Sequence, residues 1–386
     1  MKRKLQSNTL STGLAMFSMF FGAGNIVFPL AMGQYAQDQN FWAILGLLIT
    51  AVGVPFLGLI SMTLFDGNHQ HFFERVGKIP GFLMILFIMG LIGPFGAMPR
   101  VIALSYSTAS LFLPHISLPL FSLAACVLIY GLTYKRSRLL EILGYVLTPL
   151  LITSLLILII KGLISSPAAV PAENSALSIF VQGLREGYNT MDLMGAFFFS
   201  SVVIMCLKKE LHPEDRKDFR RLIAMTLKAS CIGAGLLAFV YFGMSYIGAF
   251  HSEILSQTPQ DEMIGAISLH ILGSFGAAIA IAAVSLTCLT TAIALAAVFA
   301  EFLHEDIFLK KINYQVSLIL TLVATFFMST LNFSGIQRIL APILMICYPA
   351  LITLALINLL HKLYGFKPVK IPVLAVFILS LVFYLV

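Results

Sequence analysis

Apolar runs of about 20 residues follow one another along nearly the whole chain, and this recurrence leaves little freedom of architecture. Each run is long enough to cross the hydrocarbon core of a bilayer as a helix. The runs read as eleven spans: 9–36, 41–65, 81–112, 118–134, 139–163, 178–207, 221–250, 263–302, 314–332, 338–360 and 371–386. Composition agrees. Of the 386 residues 59% are hydrophobic and only 11% charged, against roughly 25% in a soluble domain. The chain reads as a polytopic α-helical membrane protein in one transmembrane unit, residues 1–386. The eighth run is too long for one helix, so Met263 to Leu272 is expected to form a surface or re-entrant helix before the span proper.

The net charge of +7 is a topology signal rather than a nucleic-acid footprint, because the basic residues gather in alternate loops. With the N-terminus cytoplasmic, one side holds Lys2, Arg3 and Lys4, Arg75 and Lys78, Lys135 to Arg138, the cluster from Lys208 to Arg221, Lys310 and Lys311, and Lys362 to Lys370. The opposite loops hold only Arg185, with Lys161 and Arg338 at their edges. That asymmetry implies a cytoplasmic N-terminus and an outer C-terminus. Met1-Lys2-Arg3-Lys4 resembles the start of a signal peptide, but no convincing cleavage site follows, so it is taken as the start of a retained span. Five cysteines, Cys126, Cys206, Cys231, Cys288 and Cys347, all fall in apolar segments and are expected to be reduced. There is no phosphate-binding loop, and the eight histidines have no metal-ligand spacing, so neither ATP hydrolysis nor a metal centre is expected.

The first span is interrupted by Phe20-Phe21-Gly22-Ala23-Gly24-Asn25-Ile26-Val27-Phe28-Pro29. Glycine loosens the backbone, and Pro29 removes the donor that would bond the carbonyl of Asn25, so the helix is expected to unwind near here. Unwound backbone at membrane depth is tolerated only where protein or a wet cavity covers it, as at the midplane site of a secondary transporter. A glycine-lined helix contact is the plainer reading. It gives no reason for Asn25 and Pro29.

About 170 residues later the sixth span carries Gly187-Tyr188-Asn189-Thr190-Met191-Asp192-Leu193-Met194-Gly195-Ala196. The first and sixth spans run in opposite directions and are interrupted at matching depth, as expected of two inverted five-span repeats, about 9–163 and 178–332, followed by two additional helices. An ionised carboxylate at depth is costly unless paired or wet, so Asp192 reads either as facing a pathway or as capping the second half-helix. In the eighth span Thr287, Thr290 and Thr291 share a helical face, and hydroxyl oxygens suit a small cation. Threonines in membrane helices also bond back to their own backbone. The third span is kinked at Gly93-Pro94-Phe95-Gly96-Ala97-Met98-Pro99-Arg100, which buries a cation whose partner the sequence does not select. Glu141 and Glu301 read as interfacial.

Phe20 to Pro29, Gly93 to Arg100, Gly187 to Asp192 and Cys288 to Ala292 together resemble, in order and spacing, the bacterial branched-chain amino acid:cation symporters, the BrnQ-type carriers. The resemblance covers essentially the whole chain. It implies the leucine-transporter fold, with ten core helices in two inverted repeats and broken first and sixth helices. It also implies residence in the bacterial cytoplasmic membrane and uptake of leucine, isoleucine and valine with Na⁺ or H⁺, without any prosthetic group. The family usually has twelve spans, whereas the eleventh ends this sequence. Carried over by position, Gly22, Ala23, Gly24 and Asn25 would line the substrate backbone with Thr190, Asp192 and Gly195. The free N–H groups of the first break would receive the carboxylate. The carbonyls of Ser18 and Phe21, with Thr287, Thr290 and Thr291, would form a sodium site between the first and eighth spans. A channel would need a continuous polar lining or a ring of carboxylates, and an enzyme a His/Asp or His/Glu constellation. One deep aspartate and two breaks favour alternating access.

Overall fold

The computed structural model describes residues 2–111, 115–134, 139–210 and 219–385. The basic residues Lys135, Arg136, Arg138, Arg216 and Lys217, and the side chains of Lys2, Arg3, Lys4, Glu141, Cys206, Lys209, Arg220 and Arg221, lie outside the described residues. The described spans are helical, as an apolar run of this length in lipid must be when each segment pairs its own backbone. The first span is split into α1 (Lys2–Phe20) and α2 (Gly24–Ala36). The second runs as α3 (Asn40–Leu48), one π turn at Ile49–Gly53 and α4 (Val54–Thr63). A short helix α5 (His69–Phe73) leads to the broken third span, α6 (Lys78–Ile92) and α7 (Ala97–Ser110). Then come α8 (Leu118–Thr133) and α9 (Leu139–Ile164).

The second half repeats the plan. The sixth span is split into α10 (Ala176–Asn189) and α11 (Asp192–Glu210), and α12 (Phe219–Phe250) is the seventh. A single turn, α13 (Ser252–Leu255), precedes α14 (Met263–Phe302), in which Gly273 at φ 71° separates a leading helix from the eighth span as expected. The chain ends with α15 (Tyr314–Ser329), α16 (Asn332–Tyr364) and α17 (Lys370–Leu385). Among the described residues five helical runs are long and apolar enough to cross a membrane, and four shorter apolar helices accompany them.

Packing is reciprocal between the halves. Both pieces of the first span, α1 and α2, lie on α12, while both pieces of the sixth, α10 and α11, lie on the second span, α3 and α4. Small residues permit the close approach. A side chain at Gly33 would meet the Ser245 carbonyl of α12 at 1.8 Å, and one at Gly183 would meet the Ala43 carbonyl of α3 at 2.3 Å. Any larger residue at either position would force two backbones apart. Each broken helix is thus held along its length by an unbroken neighbour, which keeps its interruption inside the bundle. The four described cysteines, Cys126, Cys231, Cys288 and Cys347, are free thiols.

Candidate functional site

The first interruption is shorter than the sequence suggests. Only residues 21–23 leave the helix, and Pro29 lies inside α2 rather than at the break. Glycine supplies the flexibility, and Asn25 fixes the result. The Asn25 side-chain oxygen accepts from the Gly22 N–H at 3.0 Å, while its own N–H donates to the Gly22 carbonyl at 3.2 Å. The first four N–H groups of any helix have no partner within it. Those of Asn25 and Ile26 turn back to Gly22 and Ala23. Among the described residues nothing accepts from the N–H groups of Ala23 and Gly24.

At the second interruption α10 ends at Asn189 and α11 begins at Asp192. Met191 between them has φ 62°, a left-handed conformation that costs a non-glycine residue roughly 1–3 kcal/mol. Packing must therefore hold it. Here part of the donor set is used, while the N–H groups of Asp192 and Met194 have no acceptor among the described residues. The Met191 N–H donates to the Tyr188 carbonyl at 3.1 Å, that of Gly195 to the Met191 carbonyl at 3.2 Å, and that of Leu193 to the Tyr348 hydroxyl at 3.0 Å. The Thr190 hydroxyl donates to the Gly187 carbonyl at 2.9 Å and lies beside the Asp192 carboxylate.

One buried polar cluster joins the two breaks. The Asn25 amide donates to Oδ2 of Asp192 at 2.7 Å and to the Tyr241 hydroxyl, and the Tyr241 hydroxyl donates to the same carboxylate oxygen at 3.2 Å. Asn25 is 2% exposed and Asp192 6%. With its oxygen on Gly22 and its nitrogen on Asp192 and Tyr241, Asn25 uses both ends of the amide. An aspartate there would set two carboxylates against each other. The Asp192 carboxylate points across to the first span and to α12, so its contacts are those of a bridge between elements.

Arg100, near the start of α7, is 3% exposed. Its Nη1 donates to the Asn189 carbonyl at 2.7 Å, and its guanidinium carbon lies 5.2 Å from the centre of the Phe28 ring. This burial rules out snorkelling. The kink at residues 93–96 aims α7 so that the side chain enters between the breaks. Beside it the half-buried Glu186 accepts from Gln182 at 3.1 Å and from the Asn189 amide at 2.8 Å, and Asn189 in turn offers its carbonyl to Arg100. Sequence reasoning passed over Tyr241, Tyr348 and Glu186. The first two read as core aromatics inside apolar spans, and Glu186 precedes the Gly187 motif by one residue.

Gly195 packs on the Phe199 ring, where an added side chain would stand 3.1 Å from it. Of the residues expected to hold a cation, Ser18 is exposed and its hydroxyl donates to the Leu14 carbonyl at 3.1 Å; Phe21 is buried and stacks on Phe17 at 5.0 Å. Thr287 and Thr290 donate to the carbonyls of Ala283 and Thr287, each at 2.9 Å, and Thr291 is half-buried on the same helix. Donation leaves hydroxyl lone pairs available to a cation. No hydrogen bond among the described residues joins the two groups: α1 packs chiefly on α12 and α11, and α14 on α7 and α9. An apolar cavity of about 270 Å³ lies between α7, α8 and α14, but no residue of either break lines it.

Comparison with known proteins bears on the same arrangement. The family model for branched-chain amino acid transport proteins matches residues 5–385. A protein of Staphylococcus saprophyticus described as a branched-chain amino acid carrier is 31% identical, over 98% of this chain and 88% of its own length; one of Staphylococcus aureus strain USA300, described in the same way, matches to the same extent. Among solved structures, inward-facing Mhp1 superposes with a TM-score of 0.66 at 13% identity, covering 92% of this chain and 77% of Mhp1. MhsT in complex with L-phenylalanine gives 0.58 at 15% identity, covering 96% of this chain and 98% of MhsT. At such identities the likeness establishes the fold alone, which is the leucine-transporter fold, all-helical and polytopic. The chain belongs to the branched-chain amino acid transport protein family, and so is a transporter rather than an enzyme.

Proposed function

We propose that this protein imports leucine, isoleucine and valine across the bacterial cytoplasmic membrane by alternating access, in symport with Na⁺ or H⁺, its N-terminus in the cytoplasm. The observation that carries the reading is the buried bridge from Asn25 to Asp192 and Tyr241, with Arg100 beyond it, set where two helices are broken. An α-amino acid brings one positive and one negative group a few ångströms apart. The breaks offer the complement: a carboxylate for the ammonium, and free N–H groups at the start of α2 for the carboxylate, favoured by the helix dipole. Two broken helices can repack around an occupied site without exposing backbone to lipid. Another small apolar amino acid would satisfy the same polar groups, so the aliphatic preference rests on the family.

The test is leucine uptake into proteoliposomes under separately imposed Na⁺ and pH gradients. Concentrative uptake that follows one gradient and collapses with an ionophore is the expected result; uptake that only equilibrates leucine would remove the symport reading. If Na⁺ is the ion, Thr290→Ala/Thr291→Ala should raise the Na⁺ concentration for half-maximal uptake while leaving leucine affinity at saturating Na⁺ nearly unchanged. Linkage makes the ion and the substrate strengthen each other reciprocally. An unaltered ion dependence would dismiss these threonines as ligands.

A further inference from the structure

Arg100 carries more hydrogen-bonding capacity than the protein uses. A guanidinium has five N–H donors and cannot shed its charge in a protein. One donor, on Nη1, is taken by the Asn189 carbonyl. The Nε–H is buried and has no partner. Among the described residues no carboxylate stands within 4.0 Å of the group. Asp192 acts on it electrostatically, yet its Oδ2 is engaged by Asn25 and Tyr241. A buried cation without a contacting anion is costly, and the cost is relieved when an anion arrives with hydrogen bonds to give it.

The place where that anion would sit is also marked by the backbone. A side-chain carbon added at Gly24 would stand 3.2 Å from Nη2 of Arg100, so the guanidinium lies against the start of α2. That is where the N–H groups of Ala23 and Gly24 are free. The helix N-terminus and the under-used arginine are independent features, and they converge.

Resting on the transport reading above, we propose that Arg100 is the anchor for the substrate carboxylate, closing with the N–H groups of Ala23 and Gly24 a receptor for the anionic end of the zwitterion. The planar fork matches a carboxylate in a way that a lysine ammonium does not. Gly24 has no side chain because the arginine head occupies the space beside it. The zwitterion then bridges Arg100 and Asp192, carboxylate towards one and ammonium towards the other. Selectivity against amines and amino alcohols then resides in Arg100. A compound that brings no anion leaves the arginine unpaired.

The competing role is a strut: Arg100 could serve only to hold the Asn189 carbonyl at the second break. The two roles separate in a competition assay on the full chain in detergent or proteoliposomes, with labelled leucine displaced by unlabelled leucine or by leucinamide, which keeps the ammonium and side chain but lacks the carboxylate. In the parent, leucinamide should compete about 10- to 100-fold less well than leucine, the worth of one charge-assisted pair. In Arg100→Gln leucine should weaken by a similar factor and leucinamide hardly at all, so that discrimination collapses. Arg100→Lys should restore it in part. Equal weakening of both ligands, with discrimination intact, would make Arg100 a strut and overturn the assignment. Should the variants fail to fold, the parent decides: leucinamide competing as well as leucine also overturns it. A parent that binds no branched-chain amino acid removes the transport reading itself, a result distinct from either.

Discussion

The two broken helices look alike as interruptions and differ in what they do with their donors. At the first, glycine and a self-folded Asn25 open the chain and leave the N–H groups of Ala23 and Gly24 unused. At the second, the Leu193 N–H is closed off by Tyr348, Gly195 bonds back to Met191, and the turn itself is a strained methionine rather than a glycine. The first break therefore sets its two free donors beside Arg100, while the second keeps those of Asp192 and Met194 unpaired among the described residues, has Leu193 and Gly195 closed off, and carries one acid, Asp192. Inverted repeats give the two helices the same architecture. Side chains from outside them, Arg100 on α7, Tyr241 on α12 and Tyr348 on α16, assign the separate tasks.

The strongest blow to this division is a side chain in the receiving break. Gly24→Leu would drive a branched chain into the Phe28 ring, 3.1 Å from the added carbon, and into Arg100. Leucine uptake should be abolished while membrane insertion and expression persist, as measured by transport alongside size-exclusion profiles. Near-normal uptake would reduce the glycine to a packing residue and erase the contrast between the breaks.

A smaller effect is expected from the acid of the second break. Asp192→Asn keeps the size of the side chain but removes the charge that Asn25 and Tyr241 address. Hydrogen bonds to a charged group contribute about 1.5–3 kcal/mol, so leucine affinity should fall by roughly 10- to 100-fold, read by ligand-induced thermal shift or by the concentration for half-maximal uptake. A proton-carrying role would show instead as lost accumulation against a gradient, and a mere helix cap as lost stability with affinity unchanged.

Much of this was legible in the sequence, for identifiable reasons. Span order follows from apolar run length. Gly22, Gly24 and Asn25 announce the first break because no lipid-facing helix calls for them, and Asp192 announces the second because charge at depth is rare. Pro29 misled as to the extent of unwinding, since α2 carries it without breaking. The partner of Arg100 was not legible because it is the backbone carbonyl of Asn189, a group every residue has. Tyr241 and Tyr348 were invisible for the opposite reason. An aromatic ring in an apolar span satisfies the hydrophobic pattern whether or not its hydroxyl is in use.

Tyr348 gives the finest test of the comparison, because its hydroxyl hydrogen-bonds the second break and none of the free donors of the first, although it lies within electrostatic reach of Arg100 and Asp192. It accepts from the Leu193 N–H, one of the donors that the start of α11 cannot satisfy within the helix, and its ring stacks on Tyr188 at 4.8 Å. Tyr348→Phe should keep the stacking and leave that buried N–H unpaired, a loss of about 1–3 kcal/mol. Leu193 is fully buried, so water does not replace the hydroxyl. The expected result is a lower thermal inactivation temperature with leucine affinity and ion dependence unchanged. Any loss should be confined to stability, because the free donors of Ala23 and Gly24 and the Asn25 bridge are untouched by the change. A tenfold weakening of leucine binding in Tyr348→Phe would mean that the second break also handles substrate through its backbone, and the assignment of the carboxylate to the first break alone would have to be given up.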